Sequence, residues 1–68
     1  MIFLVTVKEN EEPYLEVKLN VLECAILSVT PYAENLLLYK VSGGENSKQK
    51  LIKSGYLVDE EMFGTIGE

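Results

Sequence analysis

The clearest helical pattern of apolar positions lies at residues 20–29. Its apolar side chains recur with the spacing that puts them on one face of an α-helix, at Leu22, Ala25, Ile26 and Val29. Asn20 is a suitable N-cap, and Glu23 stands where the glutamate of a capping box would stand. We therefore predict a helix over 20–29, which Pro31 prevents from continuing. A buried strand is the alternative interpretation, because a short apolar run fits both structures.

Two segments before this run are typical of strands. Residues 2–8 are rich in β-branched and aromatic side chains, which strands favour. Residues 14–19 alternate between apolar and polar positions, so that Leu15, Val17 and Leu19 would share one face. The polar residues 9–13 separate the two segments by a short turn. The pattern therefore predicts an antiparallel hairpin.

A third strand is predicted at residues 36–41, between a loop and a glycine pair. Asn35 before it is a residue that tolerates positive φ, and Gly43 and Gly44 stop it. The elements then follow the order ββαβ. This order predicts an α+β fold with a three-stranded antiparallel sheet, in strand order 2-1-3, one helix on one face and a C-terminal appendage.

The chain of 68 residues is expected to form one small domain with a marginal core. We divide it into a ββαβ core (1–42), a flexible joint (43–47) and a C-terminal segment (48–68) that packs on the sheet or on a partner. Within that last segment, a short helix is expected over 48–54 and an edge strand over 56–58.

The single predicted helix can cover only one face of the sheet. Large apolar side chains on the other face would be exposed unless the C-terminal segment folds over them, and exposed apolar patches mark interaction sites. Either that segment covers the face or another chain does. The residues predicted to bind a partner are Ile2, Leu4, Tyr14, Leu36, Leu38, Tyr56, Met62 and Phe63.

Charge narrows the class of partner. The chain has 11 acidic residues against 6 lysines, which gives a net charge of −5. It has no arginine, the residue best suited to bidentate phosphate contacts. These features argue against direct binding to nucleic acid and to anionic membrane surfaces. They are compatible with a basic protein partner, including one that itself binds DNA or RNA.

The sequence offers little catalytic chemistry. It contains no histidine, which excludes His-based acid–base catalysis and ligation of a metal by histidine. Cys24 is the single cysteine and is interpreted as a packing residue, so no disulfide is formed within the chain. We predict neither an enzyme, nor a metal site, nor a cofactor. A lone cysteine and an apolar N-terminus too short to cross a bilayer favour a cytoplasmic protein.

These observations predict a small acidic, non-enzymatic protein-binding module that occupies the surface of a partner protein or self-associates as a homo-oligomer. A second hypothesis is an inhibitor that imitates the phosphate charge of nucleic acid, as some small proteins of bacterial viruses do. A third is a structural subunit of a larger assembly. The acidic patch of the second hypothesis comprises Glu9, Glu11, Glu12, Asp59, Glu60 and Glu61.

Overall fold

The computed structural model describes residues 1–60, which form one antiparallel sheet and two helices. A short 3-10 turn at Glu9–Glu11 joins the first strand to the first helix. The elements in chain order are β1 (Ile2–Lys8), α1 (Glu12–Val21), β2 (Ala25–Ala33), β3 (Leu36–Ser42), α2 (Glu45–Lys53) and β4 (Leu57–Glu60). The order βαββαβ, with β3 lying between β1 and β2, is a split βαβ arrangement.

The strand order is β2-β3-β1-β4. Because β1 and β2 are both antiparallel to β3, they are parallel to each other, and β4 pairs antiparallel with the far side of β1. The predicted α+β class and antiparallel sheet are confirmed. The sheet has four strands where three were expected. The second helix, which was expected within the C-terminal appendage, is part of the same domain and contributes Leu51 to its core.

The predicted strand at 14–19 is wrong, because this segment lies in α1. Pro13 occupies the first turn of α1, where its missing N–H costs no helical hydrogen bond. Leu15 and Leu19 are fully buried, and their spacing of four residues suits a helix as well as an alternating strand. Val17, expected beside them, is exposed.

The predicted helix at 20–29 is also wrong, because α1 ends there and β2 begins. Glu23 adopts a left-handed conformation with φ of 61°. Its N–H donates to the carbonyl of Asn20 (3.0 Å), and the N–H of Cys24 donates to the carbonyl of Leu19 (2.9 Å). These two bonds form a Schellman motif, which ends a helix. Glu23 therefore closes α1 and opens no new helix.

The remaining elements agree more closely with the prediction. The strands expected at 2–8 and 36–41 are present as β1 and β3, and they pair antiparallel as expected. Asn35 has the positive φ foreseen for it, 65°. The helix expected at 48–54 begins earlier, since Gly44 is its N-cap and Glu45 its first residue. The strand expected at 56–58 is present as β4, residues Leu57–Glu60.

Both helices pack on the same face of the sheet, where the core forms. Alternate residues of β1 and β3 point toward this face, and each helix contributes buried leucines to it. The buried residues are Phe3, Val5, Val7, Leu15, Leu19, Tyr39, Val41 and Leu51. No helix within residues 1–60 is long and apolar enough to cross a membrane.

Candidate interaction surface

The two edges of the sheet differ in length and in charge. The edge strand β4 has four residues and carries Asp59 and Glu60. The opposite edge, β2, has nine residues with the sequence AILSVTPYA, and none of them is charged. Short length and charge are the usual means by which an edge strand avoids pairing with another chain. By this criterion β4 is protected against pairing with another chain, whereas β2 is not.

Every residue of β2 is exposed. Its large apolar side chains are Ile26, Leu27, Val29 and Tyr32. Since β2 pairs only with β3, the backbone N–H and C=O groups on its outer side have no ladder partner in the described chain. An edge of this kind can accept a further strand through main-chain hydrogen bonds.

The register explains why β2 is left uncovered. Ile26 lies opposite Val41 and Val29 lies opposite Tyr39, so these β2 side chains point toward the face that carries the helices. Val41 and Tyr39 are fully buried, yet Ile26 and Val29 are each 41% exposed. The inward-facing side chains of β2 are therefore covered much less completely than the β3 side chains opposite them.

Two interruptions limit the regular part of β2. Its register against β3 shifts between Ile26 and Ser28 and again between Pro31 and Ala33. Such bulges, and a proline on the strand, are further devices that restrict edge pairing. The stretch between the two shifts, residues 28–31, keeps a continuous register with β3. This central stretch is the part of β2 best shaped to receive another strand.

The helix-free face of the sheet holds the predicted partner-binding residues of β1 and β3. On it, apolar side chains lie opposite polar ones: Leu4 pairs with Lys40 and Thr6 pairs with Leu38. The same holds for the pairs Ile2 with Ser42 and Lys8 with Leu36. Ile2, Leu4, Leu36 and Leu38 are each only partly exposed. Apolar and polar side chains therefore alternate on this face. That these apolar residues bind a partner stays a prediction.

The other predicted contact residues lie elsewhere. Tyr14 is on the outer surface of α1, with the exposed side chains of Val17 and Val21. Tyr56 packs against the core, and Tyr14 and Tyr56 line one shallow depression together. The structure does not bring Tyr14 onto the helix-free face expected for it. Met62 and Phe63 lie outside the described residues.

The predicted acidic residues are spread over several elements and are partly engaged within the protein. Glu9 and Glu11 belong to the 3-10 turn before α1, and Glu12 opens that helix, where the helix dipole favours negative charge. Glu60 forms an ion pair with Lys48 of α2, which lowers the pKa of Glu60 and raises that of Lys48. Asp59 is exposed, and Glu61 lies outside the described residues. Those acidic residues that the structure describes therefore do not form one free patch.

A polar contact ties α1 to the sheet. The single hydroxyl hydrogen of Tyr39 on β3 is shared, in a bifurcated hydrogen bond, between Oε2 of Glu12 (2.7 Å) and Oε2 of Glu16 (2.8 Å). Burial of the phenol, together with these two carboxylates, raises the pKa of Tyr39 well above its ordinary value of 10.0. The folded protein therefore keeps this hydroxyl protonated above pH 10, and the contact joins α1 to β3.

Within residues 1–60, no group of three or more Cys, Asp or Glu side chains is placed to hold a metal ion. Cys24 is partly buried and packs against the core. A depression between the two turns is lined by Lys8, Glu9, Asn10, Glu34, Asn35 and Leu36. These side chains belong to exposed turns and strand ends, so we assign them no chemistry.

The feature that sequence reasoning missed is the open edge of β2. Its signal was present as nine consecutive uncharged residues, 25–33, in a chain in which a quarter of the residues are charged. That run was divided between a predicted helix and a loop, which hid it. No known protein family, curated protein or solved structure matches this chain.

Proposed function

We propose that this protein is a small, non-enzymatic protein-binding module whose binding element is the edge strand β2. One observation carries the proposal: a nine-residue edge strand is exposed along its whole length and has no charged side chain. A partner that adds a strand to this edge would gain main-chain hydrogen bonds and would cover Ile26, Leu27 and Val29. Affinity would come from the backbone, and selectivity from these side chains.

The edge of β2 supports binding better than the helix-free face does. On that face Leu4 and Leu38 alternate with Lys40 and Thr6, so a partner would have to cover polar and apolar groups together. On β2 the apolar side chains follow one another without a charge between them. Burial of uncharged surface avoids the desolvation cost of a buried charge.

The proposal is tested by a charge placed in the middle of the strand. Val29→Lys puts a lysine at the centre of β2, where natural edge strands carry lysine to prevent pairing. Val29 is exposed enough for the ammonium to reach water, so the fold should be retained. In affinity capture from cells, V29K should therefore fail to retain proteins that the wild-type chain retains.

Val17→Lys is the matched control, because Val17 is an exposed valine (65%) on the outer surface of α1. It introduces the same charge at a distance from the sheet edge. We expect V17K to retain the partners of the wild-type chain and V29K to lose them. Equal retention by both variants would remove β2 as the binding element.

Salt separates this proposal from imitation of nucleic-acid charge. Exposed ionic contacts weaken as the Debye length falls, from about 30 Å at 0.01 M salt to about 8 Å at 0.15 M. Binding through the uncharged strand β2 should survive this change. Loss of a partner over that range, together with insensitivity to V29K, would favour the acidic residues Glu9 and Glu11 instead.

A further inference from the structure

We infer that β2 binds a second copy of this chain, as an antiparallel strand pair about a two-fold axis at Val29. The inference rests on the proposed function, and it names the partner. Two sheets joined in this way would form one continuous sheet in the order β4-β1-β3-β2-β2-β3-β1-β4. Its outer edges would be the two short, acidic β4 strands, which are protected against further pairing.

The sequence of β2 is symmetric in residue class about Val29. Antiparallel pairing centred there matches apolar residues with apolar residues, polar with polar and small with small. The facing pairs would be Val29 with Val29, Ser28 with Thr30, Leu27 with Pro31, Ile26 with Tyr32, and Ala25 with Ala33. Matched pairs of this kind are the unit of stabilisation in an antiparallel sheet.

Neighbouring registers lose this match. A two-fold axis perpendicular to the sheet puts a given residue of both copies on the same face, so the neighbouring registers lie one whole residue away. An axis at Ser28 places Thr30 opposite Ile26, and an axis at Thr30 places Ser28 opposite Tyr32. Both shifts therefore place polar side chains against apolar or aromatic ones. The register at Val29 is therefore the one that the sequence favours.

The geometry of β2 is compatible with this axis. Val29 lies in the stretch 28–31, between the two register shifts. A two-fold axis perpendicular to the sheet keeps the helices of both copies on the same face. Pro31 has no N–H to donate, but proline is tolerated on an edge strand, and it would face Leu27 away from the centre of the pair.

The net charge of the chain predicts how the affinity of self-association changes with salt. Each copy carries a net charge of −5, so two copies repel each other at long range. The strands that meet carry no charge, so added salt removes repulsion without weakening the contact. Self-association should therefore become tighter as salt increases, whereas binding of a basic partner by the acidic residues would become weaker.

The test places opposite charges at Val29, the residue that would face its own counterpart in the second copy. Val29→Lys places lysine against lysine across the axis, and Val29→Glu places glutamate against glutamate. Each variant alone should associate about 100-fold more weakly than the wild-type chain, or more weakly still. An equimolar mixture should restore association, because lysine then faces glutamate.

Sedimentation equilibrium from about 1 µM to about 1 mM protein covers the range of affinities expected of a small interface. We expect a wild-type dimer, monomeric V29K and V29E, and a dimer in their mixture. Circular dichroism checks that each variant is folded, and V17K should dimerise like the wild-type chain. Failure of the mixture to associate, with both single variants folded and monomeric, would overturn the register at Val29.

Two further outcomes distinguish this inference from the proposed function. A wild-type chain that stays monomeric to about 1 mM would overturn the second copy as partner. Loss of captured partners by V29K would then still support β2 as the binding element. A dimer that forms equally well with V29K would overturn the inference and would place self-association on another surface.

Discussion

At the scale of single residues, Gly43 occupies a position that leaves no room for a side chain. A Cβ built on Gly43 would lie 2.7 Å from Sγ of Cys24 and 3.5 Å from the ring of Phe3. The backbone there is not in the left-handed region, so the constraint is one of space and not of φ. Cys24 thus fills the volume beside Gly43, which accounts for its partial burial.

Gly43→Ala should therefore be destabilising in a way that depends on Cys24. We expect G43A to lower the free energy of unfolding by about 1–3 kcal/mol, the range for overpacking of a filled core. In a Cys24→Ala background, which removes the sulfur, the same change should cost at least about 1 kcal/mol less. Urea denaturation of the two single variants and the double variant measures this coupling, and an equal cost in both backgrounds would contradict the contact.

At the scale of elements, the junction between α1 and β2 explains which predictions failed. Leu15 and Leu19 satisfy both an alternating and a helical pattern, so local spacing does not decide between strand and helix. Pro13 was interpreted as the entrance to a strand, although proline also suits the first turn of a helix. Tertiary packing favours the helix, because it buries both leucines against the sheet.

The end of α1 was hidden by an unusual residue. Glycine is the common residue at the left-handed position that closes a helix, and a glycine at position 23 would have separated α1 from β2 in the sequence. Glu23 occupies that position instead. By contrast, Asn35, Gly43 and Gly44 are conventional boundary residues, and β3 between them was predicted within one residue.

Glu23→Gly should raise the free energy of unfolding by about 1 kcal/mol. Glycine removes the steric cost of the left-handed conformation, and the change also removes a negative charge from the C-terminal end of α1. Glu34→Gly is the control: Glu34 does not have a positive φ, so glycine there should be destabilising by about 0.4–1 kcal/mol. Thermal and urea denaturation report both changes, and a destabilised E23G would contradict the account of this helix end.

At the scale of the whole molecule, the candidate site depends on strand order, which local patterns do not determine. The residues of β2 become an edge because β3 inserts between β1 and β2. In the predicted order 2-1-3, residues 25–29 belonged to a helix and had no edge to expose. The absence of charge in 25–33 was visible in the sequence, but its meaning required the sheet.

The hydroxyl of Tyr39 joins α1 to β3, and this contact makes the stability of the whole molecule depend on pH. In the unfolded chain this phenol loses its proton near pH 10.0, whereas burial and the carboxylates of Glu12 and Glu16 raise its pKa in the folded protein. The stabilising contribution is therefore complete below pH 10. Above that pH the free energy of unfolding falls by up to about 1.4 kcal/mol for each pH unit, until the folded protein also loses the proton.

Tyr39→Phe removes this contribution. At pH 7 the variant should be less stable than the wild-type chain by about 1.5–3 kcal/mol, the range for hydrogen bonds to charged groups. Because the advantage of the wild-type chain declines above pH 10, the two stabilities should converge between about pH 10 and pH 12. Lysines that titrate in the same range are common to both chains, so they cancel in the difference. Urea denaturation at intervals from about pH 7 to pH 12 measures this difference in the free energy of unfolding.

Tyr32→Phe is the control, because Tyr32 is an exposed tyrosine of β2. It should change the free energy of unfolding at pH 7 by less than about 0.5 kcal/mol. A constant difference between Y39F and the wild-type chain up to about pH 12 would show that the hydroxyl of Tyr39 does not couple α1 to the sheet.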